Sequence, residues 1–192
     1  MDFIQVKRML FLFLLACFVA ACGGRSANMP ADDSQPEQAK NMLEARLIGK
    51  GGAGVRGTVT ISAKGKYWLV SSTIGGAMPG DYLIAFYDNG NCTSPNAFSA
   101  GKIWLPPDTP EGTKADAWIP PLSPNPSTGS AQIVVRLPNP AEHGIAVFHH
   151  RSVLVFSGRK AEELKPDVRN DVVACGVFEA PVSLLDPLGP VF

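Results

Sequence analysis

From Leu43 onward, apolar and polar side chains take turns along the chain. Leu43, Ala45 and Leu47 are separated by Glu44 and Arg46, and Val55, Gly57, Val59 and Ile61 by Arg56, Thr58 and Thr60. A period of two puts neighbours on opposite faces, which marks a half-buried strand. Residues 67–74, 82–87, 132–137, 145–156 and 172–178 extend the series, the fourth too long to be straight and expected to bend or break. Turn chemistry lies between them, in Met78-Pro79-Gly80-Asp81 and Asp88-Asn89-Gly90-Asn91. Short strands separated by such turns predict an antiparallel barrel or sandwich. Residues 106–129 carry seven prolines and predict a long loop or extended arm, the kind of segment that in a compact domain tends to be functional.

The first 40 residues follow another pattern. Lys7 and Arg8 precede an unbroken apolar run, residues 9–21, which is too short to span a bilayer but suits a secretory signal. Its end, Val19-Ala20-Ala21-Cys22, resembles a bacterial lipobox, in which the cysteine is lipidated and becomes the first mature residue. Leu14-Leu15-Ala16-Cys17 fits the same pattern but leaves a shorter apolar run. Gly23 after the cysteine, as in lipoproteins of this type, implies the outer membrane, with the periplasmic side expected and the outer side left open, and acyl chains worth ~0.8 kcal/mol per buried methylene would make attachment to that membrane permanent. Residues 22–40 then read as the lipidated cysteine and a flexible tether, 41–180 as the folded domain, and 181–192 as a C-terminal tail.

Composition narrows the function. Seventeen basic residues balance seventeen acidic ones, so there is no basic stripe to meet nucleic-acid phosphates. Three histidines cannot assemble a His-rich metal site. Beyond Cys22 only Cys92 and Cys175 remain, and outside the cytoplasm two cysteines have one disulfide pairing, with a free thiol as the rival. Of the histidines, His149 and His150 are adjacent; on a strand they would face opposite ways and could not share a metal. His143 lies six residues earlier, and surface histidines are the simplest reading of all three. Gly49-Lys50-Gly51-Gly52-Ala53-Gly54 lacks the Lys-Ser/Thr and helix of a phosphate loop and reads as a strand connection. Residues 158–171 form a charged loop, Glu162 and Glu163 among balanced charges, and give no net steering.

Several motifs occur together, in order, in a known family. Met78-Pro79-Gly80-Asp81 with its following strand, the Asn89-Gly90-Asn91-Cys92 loop, Ser99-Ala100-Gly101, Arg151-Ser152-Val153-Leu154-Val155 and Ala174-Cys175-Gly176-Val177 resemble the Cu/Zn superoxide dismutases. The resemblance implies an eight-stranded Greek-key β-barrel and a Cys92–Cys175 disulfide. It also implies where the metal ligands should be. The family's copper histidines fall on Ala85, Tyr87 and Phe156, and the bridging histidine on Ile103. The zinc ligands fall near Glu111, Lys114 and Ala117, and the arginine that guides superoxide falls on Val172. Dismutation cycles an imidazole-held copper between two oxidation states, and Ala85, Ile103 and Phe156 have no electron pair to give one.

The sequence therefore predicts a metal-free, cofactor-free, catalytically degenerate relative of that family. It would act as a binding or structural module in the envelope, with a membrane, a protein partner of unknown identity or a second copy as its contacts. Trp104, Trp118 and the proline-rich arm are the candidate interaction surfaces. Dismutase activity or copper binding through a non-standard site, or metal carriage by His143, His149 or His150, are the alternatives.

Overall fold

The computed structural model describes residues 41–113, 119–158 and 171–181. The signal, Cys22, Cys17 and the tether lie outside these residues, as do Lys114, Ala117, Trp118, Glu162, Glu163 and most of the tail.

Seven strands are present among the described residues: β1 (Met42–Gly49), β2 (Arg56–Lys64), β3 (Tyr67–Gly75), β4 (Tyr82–Tyr87), β5 (Ala131–Pro138), β6 (Ser152–Ser157) and β7 (Val172–Glu179). They form one curled sheet in the order β4-β6-β7-β1-β2-β3-β5, and every neighbouring pair is antiparallel. β1 to β3 form a meander. The chain then crosses between the two halves of the sheet three times, from β3 to β4, β4 to β5 and β5 to β6, which is Greek-key connectivity. The all-β class expected from the alternation is the one observed.

An eighth strand would belong on the free edge of β4. Tyr82 turns both its N–H and its C=O to Leu122, each at 2.8 Å. At the other end the Trp104 N–H donates to the Phe86 carbonyl and the Asp88 N–H to that of Lys102. Both bridges lie opposite β6, because in an antiparallel ladder a residue's two backbone groups point the same way. Among the described residues this edge is thus met by two single bridges, Tyr82–Leu122 and Tyr87–Ile103, rather than a continuous strand.

The residues with period two supply the core. Leu43, Ala45 and Leu47 of β1, Val59 and Ile61 of β2, and Trp68, Val70 and Ile74 of β3 meet Ile84, Phe86, Val153, Val155 and Phe178 inside the curl. Each large side chain so buried contributes about 1.5–3 kcal/mol.

The expected strand over residues 145–156 is broken. Ile145–Phe148 is a turn of 3-10 helix, and β6 begins only at Ser152. Phe148 is fully buried and meets four rings edge-on, those of Trp68, Phe86, Trp104 and Phe178, at centroid distances of 5.1 to 6.2 Å. One aromatic side chain packed among four rings outweighs the strand preference of Ile145 and Val147.

Candidate functional site

β4 is buried at all six positions, and β6 at its first five. A strand is covered on both faces only when something packs on each. Tyr82, Ile84, Phe86, Val153 and Val155 face the barrel interior. Leu83, Ala85, Tyr87, Leu154 and Phe156 face the other way and form a second cluster with Val172 and Cys175 of β7. Ala97 and Ala100 complete it, and Cys92 and Ile103 pack against its edge. Ala85, Tyr87, Ile103, Phe156 and Val172, which lie far apart in sequence, are therefore gathered into one apolar cluster.

The loop between β4 and Trp104 is the lid of this cluster, and polar contacts hold it closed. The Asp88 carboxylate accepts from the Lys102 N–H at 2.7 Å, and the Asn89 side-chain amide donates to the Ser99 carbonyl at 2.7 Å. Ser99 Oγ donates to the Asn91 carbonyl at 2.9 Å, and Ser152 Oγ to that of Asn89 at 2.7 Å. Gly101 sits at φ +82°, and a Cβ there would fall 1.9 Å from Asp88 Oδ1, so the turn requires glycine. The Cys92–Cys175 disulfide, with its Cα atoms 5.8 Å apart, staples the loop to β7. The Lys50 ammonium adds a clamp by donating to the carbonyls of Cys92 and Ser94. Nothing in the sequence marked Lys50 for this role, because its partners are backbone atoms 42 and 44 residues away.

The chemistry of the cluster is that of packing. Leu83 lies across from Phe156 and Ala85 from Leu154 on the β4–β6 ladder, and a register shift between Val155 and Phe156 sets Phe156 opposite Val172. The Phe156 ring tilts against Tyr87 at 6.3 Å. Among the described residues that make up the cluster, the Tyr87 hydroxyl is the one side-chain oxygen or nitrogen, and both cysteine sulfurs are committed to the disulfide. That donor set does not fit a copper ion held by imidazoles, which needs several nitrogen ligands converging on one point.

The remaining candidates are dispersed. His143 donates or accepts at 2.9 Å with Asp108 and lies parallel to Trp68 at 6.5 Å, next to the other cluster. His149 and His150 are exposed in the connection before β6. Their rings are 3.9 Å apart, so the expected division between two strand faces fails: they are not on a strand. Glu111 is exposed on a turn. Gly49 ends β1 and residues 50–54 lie in the connection to β2, as their composition implied. Trp104 is not a free surface aromatic. It is partly buried against the core and carries the Arg151 guanidinium 4.8 Å above its ring. Among the described residues the large apolar side chains most open to solvent are Ile48, Met78, Phe98 and Val134. Alternation alone could not separate these from core residues. Among the described residues no group of three or more His, Cys, Asp or Glu side chains is placed to hold a metal ion.

Strand order, double-faced β4 and β6, and a cysteine-stapled loop define a fold of the Cu/Zn superoxide dismutase type. Among solved structures the chain is similar to the Cu/Zn superoxide dismutase from Brucella abortus, with 22% identity and a TM-score of 0.54 over 72% of this chain and 99% of that one. It is also similar to the clock protein EA4, with 18% identity and a TM-score of 0.54 over 73% of this chain and 94% of that one. No protein-family model matches the chain, and no curated protein sequence matches it.

Proposed function

We propose that this protein is an envelope lipoprotein whose superoxide dismutase-like barrel is non-catalytic and serves as a binding or structural module. The observation that carries this reading is the second hydrophobic cluster. The positions that the sequence resemblance assigns to copper ligands and to the substrate-guiding arginine are Ala85, Tyr87, Ile103, Phe156 and Val172, and all five pack together in it. An apolar interior there stabilises the loop and β7 by burial, the task that coordination performs in a metalloenzyme.

The test is metal content and turnover on one sample. Protein purified after exposure to copper and zinc is expected to hold less than about 0.1 equivalent of either after dialysis against a chelator, and to show no superoxide turnover. Near-stoichiometric copper with turnover would overturn the reading and imply a site built from other residues.

Anchoring rests on the Val19-Ala20-Ala21-Cys22 sequence and is a separate part of the proposal. A palmitate label fed to expressing bacteria is expected to enter the protein and to disappear in Cys22→Ala, which would move from the membrane to the soluble fraction. Label retained in Cys22→Ala and lost in Cys17→Ala would transfer the anchor to Cys17.

A further inference from the structure

We infer that His149 and His150 form a surface chelate for a divalent transition-metal ion, independent of the buried cluster and of any dismutase chemistry. On a strand, neighbouring side chains diverge to opposite faces. Here His149 is extended, with φ −61° and ψ 134°, but His150 has φ +58°. That single left-handed residue cancels the alternation and brings the two imidazole rings to a centroid separation of 3.9 Å, at 60° to one another. Two imidazoles bound side by side to one ion, at metal–nitrogen distances of about 2.0 Å, place their ring centres about 4.5 Å apart. Binding requires the two side chains to turn so that one ring nitrogen of each faces the same ion.

The backbone that carries the pair is held in place before any ion arrives. The His149 N–H donates to the Ala146 carbonyl at 3.1 Å, the His150 N–H to that of Phe178 at 3.1 Å, and the Arg151 N–H to that of Phe148 at 3.0 Å. The Phe178 N–H returns to the Arg151 carbonyl at 2.9 Å. Gly90 presses on the other side, where a Cβ would fall 2.4 Å from the His150 carbonyl oxygen. Binding therefore orders two side chains and no loop, which keeps its entropic cost low. The adjacent Arg151 cation is turned away, onto Trp104 and towards the Asp88 carbonyl. Both histidines are exposed, so water completes the coordination and the ion stays exchangeable. Imidazole donors select Cu2+, Ni2+ or Zn2+ over Mg2+ or Ca2+, with Cu2+ the tightest.

Titrating the purified protein with Cu2+, followed calorimetrically and by the copper EPR spectrum, tests this. One ion is expected to bind with Kd tighter than about 100 µM and with nitrogen hyperfine coupling, and each of His149→Ala and His150→Ala is expected to weaken it at least about tenfold. His143→Ala, whose ring is engaged with Asp108, is expected to change nothing. Circular dichroism of each variant confirms that the fold is kept. Copper bound equally well by the His149→Ala/His150→Ala double variant, or a Kd for the unaltered protein weaker than about 100 µM, would overturn the inference.

Discussion

Phe156→Ala is expected to cost about 3–5 kcal/mol, the range for removing a fully buried aromatic side chain from a core that cannot collapse around the void. Phe156 has no exposed surface, faces Leu83 and Val172 across two ladders, and tilts against Tyr87. β6 pairs with β4 on one side and with β7 on the other, so the strand that carries Phe156 is held by neighbours on both edges and relaxation there is limited. A small domain is stable by only ~5–15 kcal/mol in total, and the variant should stand near the edge of folding. Urea denaturation followed by tryptophan fluorescence measures the effect. A loss below about 1 kcal/mol would mean that the cluster is loosely filled. Space for a ligand would then still be available there. Phe156→His makes the companion comparison: it too should destabilise, and added copper should fail to restore what is lost.

Cys92→Ser with Cys175→Ser is expected to cost about 4–5 kcal/mol, from a chain-entropy estimate for a closed loop of this length. The cysteines are 83 residues apart, and their bond joins the lid loop to β7. For a domain of this size that loss should lower Tm by roughly 10–15 °C. The loop should also become more accessible, because hydrogen bonds such as those of Lys50, Asp88, Ser99 and Ser152 are then left to hold it. Scanning calorimetry and hydrogen exchange of residues around Ala97 and Ala100 report the two effects separately. A Tm change under about 3 °C would show that the hydrogen-bonded lid holds without its staple.

Sequence reading succeeded where one side of a strand meets solvent. β1 declares itself because Glu44 and Arg46 interrupt Leu43, Ala45 and Leu47, and β2 does so through its threonines. β4 and β6 were legible as strands from their apolar runs, but which residue faces which cluster was not, since both faces are buried. That information came only through resemblance, with the Pro79-Gly80 turn fixing the register of β4, the end of the valine run that of Phe156, and Cys175 that of Val172. The 3-10 turn at Ile145–Phe148 was hidden for a related reason: an Ile-Ala-Val-Phe stretch has the composition of a strand, and only the aromatic cage around Phe148 decides otherwise. The pairing of His149 with His150 depended on one backbone angle at His150, a quantity that composition and spacing do not encode.

β1 has neighbours from both ends of the domain: Ala45 pairs with Val59 on one side and with Phe178 on the other. The first contact forms almost as soon as the chain is made, whereas the second waits for the final strand. A chain delivered N-terminus first thus carries an open half-sheet, β1–β2–β3, whose β1 edge has no partner until residue 179 has emerged. Closing a ring over so long a separation is entropically costly and slow. The consequence is temporal. The β1–β7 pairing that joins the two halves of the sheet has to wait for the last strand, however early β1, β2 and β3 have met.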